Sequence, residues 1–111
     1  MVALAASHAA GEFRLTATAP GQLSAQGPLT FATARGACEL GLRTLREDNA
    51  ASAQVDCRGI TACDSAGLAV LLDWLGAAQS AGRKLRYSEL PAGLQALAHI
   101  SEVRELLERG V

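Results

Sequence analysis

The chain has 111 residues, half of them hydrophobic but only 4% aromatic, and a formal net charge of −1. That length holds one domain with one aliphatic core, and the apolar fraction excludes a disordered tail. The near-neutral charge gives no footing for nucleic acid, which requires a clustered basic face. Arg83, Lys84 and Arg86 are the only local basic cluster, and three cations beside a strand read as a solvated flank. The opening MVALAASHAAGEF lacks a basic n-region and a full h-region, so it does not read as a secretory leader. The best candidate for a membrane span carries Asp73 and falls short of the roughly 20 apolar residues required. The expectation is a soluble cytoplasmic protein, with a flexible stretch over 1–11 and a single domain over 12–111. Cys38, Cys57 and Cys63 are odd in number and irregularly spaced, which suits reduced thiols rather than disulfides or a metal site.

Residues 12–18, EFRLTAT, alternate with Phe13, Leu15 and Ala17 on one side, the period of a half-buried strand. Pro20-Gly21 is a turn signal, and a second short strand follows over 22–25, closed by Gly27-Pro28. Thr30 is placed to cap a helix over 31–45, with Phe31, Ala34, Cys38, Leu42 and Leu45 at helical spacing. Gly36 and Gly41 weaken that helix by about 1 kcal/mol each. After a polar loop over 46–50 comes a buried strand over 53–57. A second helix starts at Asp64-Ser65 and runs to about Ala81, where Gly82 stops it. RKLRYSEL gives a strand with Leu85 and Tyr87 pointing one way, Pro91 opens a third helix, and EVRELLERG forms a short amphipathic fourth. The order β-β-α-β-α-β-α-α implies a small α/β sandwich: a mixed sheet of about four or five strands with helices packed on it.

The densest signal is GITACDSAGLAVLLDWL, residues 59–75. Asp64 or Ser65 can cap the first turn, and Asp64 also faces the positive end of the helix dipole. Gly67 permits a close backbone approach. Leu68, Leu71, Leu72 and Leu75 form the expected core stripe, while Gly67, Val70, Trp74, Ala77 and Ala81 form a second one. A helix apolar on most sides is buried by two neighbours, the second being another element of the chain or a partner protein. Trp74, the only tryptophan, is a candidate interface anchor on the second alternative and a core-edge residue on the first.

VDCRGITACDSAGLAVLL resembles the signature of STAS domains, in which a strand ends in an Asp-Ser/Thr-Xaa-Gly-Leu turn that opens a helix. The element order is also that of the STAS fold. DSAGLAVLLDWL, AGRKLRY and LPAGLQALAHISEVRELL are most similar to the MlaB branch, the cytoplasmic STAS subunits of the Mla phospholipid ABC transporter. The anti-sigma-factor antagonists of the other major branch usually carry Asp-Ser-Ser/Thr-Gly, whereas this chain has Ala66 in the third place. The resemblance implies that Ser65 stands at a partner interface and matches the phosphorylatable serine of the antagonists. It further implies a partner surface of Asp64, Ser65, Ala66, Gly67, Val70 and Trp74. The implied partner is an MlaF-like ATPase subunit of an inner-membrane complex that maintains lipid asymmetry. The STAS protein would take no cofactor, metal or small-molecule substrate, and would not itself insert into the membrane.

The competing reading is an anti-sigma-factor antagonist switched by phosphorylation of Ser65, which would add about −1.5 to −2 charges to an apolar docking surface. Catalysis is not expected. No base accompanies Ser65, Cys57 or Cys63 in sequence, and the only histidines are His8 and His99. There is also no GxxxxGK[ST] loop for a nucleotide phosphate.

Overall fold

The protein, described by a computed structural model over residues 11–48, 50–100 and 103–109, is built on one four-stranded sheet. Strand β1 (Arg14–Ala19) pairs antiparallel with β2 (Gln22–Leu29), and β2, β3 (Ser52–Cys63) and β4 (Lys84–Ser88) then run parallel in the order β1-β2-β3-β4. Between and after the strands lie α1 (Ala34–Glu47), α2 (Ser65–Ser80), α3 (Ala92–Ile100) and α4 (Arg104–Arg109). The order is the one expected. The stretch 1–10, including His8, lies outside the described residues.

Strand alternation gives the sheet two unlike faces. Leu23 pairs with Val55 and Val55 with Tyr87, while Ala53 pairs with Leu85, and all five are buried under the helices. On the other face Gln22, Gln54 and Arg86 lie in one row, Ser24, Asp56 and Ser88 in the next. The Arg83-Lys84-Arg86 cluster is divided by this geometry. Lys84 and Arg86 lie on the polar face, whereas Arg83 turns inward to donate from Nε to Ala50 O at 2.9 Å and from Nη1 to Leu45 O.

Several boundaries differ from those expected. Strand β2 runs through Gly27-Pro28 to Leu29, because a register shift against β3 between Gly27 and Pro28 accommodates the proline within the ladder. Strand β3 extends to Cys63 rather than ending at Cys57. Helix α1 starts three residues later than the apolar spacing suggested, after Thr33 rather than Thr30. The Thr33 hydroxyl donates to Pro28 O at 2.9 Å and accepts from the Thr30 N–H at 3.0 Å. It thereby fixes the 30–33 turn ahead of the helix and leaves Phe31 82% exposed.

Helix α2 is the centre of the fold. Leu68, Leu71 and Leu75 are buried, Leu71 completely, and each such side chain contributes about 2 kcal/mol of burial. Of its second apolar stripe, Gly67 lies against Leu29 of β2, Val70 is buried and Trp74 packs on α1, while Ala81 at the end is exposed. Gly41 of α1 lies directly on the Trp74 indole, so that any Cβ there would overlap the ring. The indole Nε1 donates to Cys38 O at 3.4 Å. Phe13 and Tyr87 complete the cage, with ring centroids 6.1 and 6.5 Å from Trp74. The buried Tyr87 hydroxyl donates to Leu71 O at 2.7 Å.

Candidate functional site

The β3–α2 junction is held by one carboxylate. Asp64 is extended (φ −144°, ψ −169°) and caps α2, with Oδ1 accepting from the Gly67 N–H at 3.1 Å. Its other oxygen, Oδ2, accepts from the Phe31 N–H at 3.0 Å. A single side chain therefore joins the start of α2 to the β2–α1 turn, 33 residues away in sequence. The Phe31 N–H first and the Gly67 N–H second stabilise the ionised form and hold Asp64 below the ordinary carboxylate value of 3.8. Gly67 has a separate role: a Cβ there would overlap Leu29 O, so glycine lets the helix start lie against the end of β2.

This clamp leaves Ser65 exposed and Ala66 half-buried at the head of α2. Ala69, Asp73 and Gly76 continue the exposed line along the helix, at the spacing of one helical face. The face is made of small side chains, and Asp73 is its one charge. A hydroxyl at its head can exchange hydrogen bonds with an approaching surface, and the positive helix end favours an anion there.

Of the residues expected at a partner surface, the structure brings Asp64, Ser65 and Ala66 together on the outside. Gly67, Val70 and Trp74 lie inside the fold, Val70 4% and Trp74 1% exposed. The expected anchor role of Trp74 is thus corrected: α1 covers it, and Gly41 makes the space. Phe31 is corrected in the opposite sense, from a core position of the first helix to the most exposed large apolar side chain among the described residues. The sequence held a signal for this. TFATAR offers two threonines as helix starts, and choosing Thr33 puts Phe31 outside the helix.

The cysteines behave as quiet thiols. Burial, with Asp56 adding to it, pushes Cys57 up to about 12. Burial likewise raises Cys63 and Cys38, each also facing a carboxylate, Asp64 and Asp73 respectively. Among the described residues no group of three His, Cys, Asp or Glu side chains could hold a metal ion. A cavity of about 600 Å³ lies at the other end of α2, between Leu42 and Leu45 of α1 and Ala77, Ala78 and Ala81. The Arg83 guanidinium on its wall donates to the Ala50 and Leu45 carbonyls through Nε and Nη1, while its buried Nη2 has no partner among the described residues.

Comparison with known proteins agrees with this architecture. The family model described as "Mlab, STAS domain" matches residues 14–108. No curated protein matches the chain. Among solved structures, the anti-sigma factor antagonist SpoIIAA in its unphosphorylated form is similar with a TM-score of 0.60 and 10% identity. That match covers 87% of this chain and 84% of SpoIIAA, and at such identity it speaks for the fold alone. With its family match spanning nearly every described element, this chain belongs to the STAS family, in its MlaB-like group.

Proposed function

We propose that this chain is a non-enzymatic subunit that binds, and supports the activity of, the ATPase subunit of an ABC-type phospholipid transport complex. The observation that carries this reading is the exposed Ser65 at the head of the exposed face of α2, on a turn clamped by Asp64. Its membership of the MlaB-like group supports the choice of partner. The docking surface is Asp64, Ser65 and Ala66 with the exposed line Ala69–Asp73–Gly76. Its small side chains let a partner helix or loop approach the α2 backbone closely. The chain would reach the cytoplasmic face of the inner membrane through its partner; among the described residues, no helix is long and apolar enough to cross a membrane.

The test is co-purification with the ATPase subunit. Ser65→Arg or Ser65→Glu should weaken binding about tenfold or more, about 1.4 kcal/mol, with the fold unchanged by circular dichroism. Wild-type affinity in both variants would refute docking at this turn.

A second reading, an anti-sigma-factor antagonist phosphorylated on Ser65, is favoured by one observation: the exposed hydroxyl stands at a helix N-terminus, where a phosphate is electrostatically welcome. Ala66, where the antagonists usually carry a hydroxyl residue, favours the transporter role. Incubation with a cognate switch kinase and ATP separates the two, since stoichiometric phosphate on Ser65 would select the antagonist.

A further inference from the structure

We propose that Phe31 is the apolar anchor of the docking surface and that Asp64 is the residue that positions it; this inference rests on the docking role proposed above for α2. Phe31 is 82% exposed, so its ring adds almost nothing to folding, and its apolar surface is available to be buried on binding. The ring is also presented from a fixed turn. The Phe31 N–H is bonded to Asp64 Oδ2, and its neighbours Thr30 and Thr33 are tied together and to Pro28 O through the Thr33 hydroxyl. An anchor held this way loses little freedom on binding, and that loss is a main cost of association.

The same carboxylate fixes the start of α2 through Gly67, so the knob at Phe31 and the line from Ser65 move as one surface. Their surroundings indicate what covers them. Residues 59–82 contain no lysine or arginine, and the only cation next to the turn over 28–34 is Arg35, which Asp64 and Asp73 on the α2 side outweigh. An anionic lipid surface would require a cluster of basic residues around an inserted aromatic, not a single arginine. A folded protein subunit with an apolar pocket beside a helix-accepting surface requires none, and it is the occupant assigned here.

The experiment is calorimetric titration of the purified phospholipid-transporter ATPase subunit with the full chain and its variants. Phe31→Ala should weaken binding about tenfold or more, Phe31→Leu less, and Ile100→Ala, an exposed apolar side chain on the last turn of α3, by less than about twofold. In a double-mutant cycle Asp64→Asn should weaken the wild type clearly and cost less in the Phe31→Ala background, the remainder being its own part in the α2 surface. Equal losses in both backgrounds would overturn the positioning role. Wild-type affinity in Phe31→Ala, with binding lost in Ala69→Arg, would overturn the anchor and leave the α2 surface standing. Full binding by Ala69→Arg, or no binding by the wild type, would instead overturn the docking role, and the anchor with it.

Discussion

Asp64 carries two separate loads on its two oxygens, and only one of them is helix capping. The Gly67 N–H is one of the donors that every helix leaves unpaired at its start, whereas the Phe31 N–H belongs to a turn on another strand connection. Both bonds favour the ionised carboxylate, so its pKa in the folded chain lies below the unfolded value. The resulting stabilisation is fully present above the ordinary carboxylate range and is lost as pH falls through the lowered folded pKa. Carbon-detected NMR titration should therefore place the Asp64 midpoint below 3.8, with the Phe31 and Gly67 amides moving at the same pH. A midpoint at or above that value would contradict the clamp. The cap was legible in the sequence, because an Asp-Ser pair before an apolar run is a local signal. The bond to Phe31 was not, since a contact across 33 residues leaves no periodic trace.

Among the elements, α2 explains why its two apolar stripes could be read but not assigned. A helix apolar on most sides needs two neighbours, and sequence alone does not say whether the second belongs to the same chain. Gly41 decides it: the glycine that weakens α1 intrinsically is the space that receives Trp74. Gly41→Ala should improve helix propensity by about 1 kcal/mol, yet overpacking against the indole costs about 1–3 kcal/mol. The variant should be less stable than wild type in urea denaturation, and a more stable one would show that Trp74 is not seated on α1. Strand β2 was read too short for a related reason. Gly27-Pro28 is a strong local breaker, and only the register shift against β3 lets the ladder continue. Element type and order followed from periodicity, whereas these ends were set by partners across the fold.

For the molecule as a whole, one sheet face is buried under four helices and the other is a polar lattice of Gln22, Gln54, Arg86, Ser24 and Asp56. Among the described residues, two contrasting surfaces stand open to a partner: this polar sheet face, and the rim where Phe31 meets the head of α2. Docking through Phe31 and Ser65 puts the partner on the rim. Hydrogen–deuterium exchange of the chain, alone and with the ATPase subunit, tests this most directly. New protection is expected only over residues 29–33 and 64–73, with the sheet face unchanged. Protection over β3 and β4 at Gln54 and Arg86, with Phe31 and Ser65 unaffected, would contradict docking on the rim.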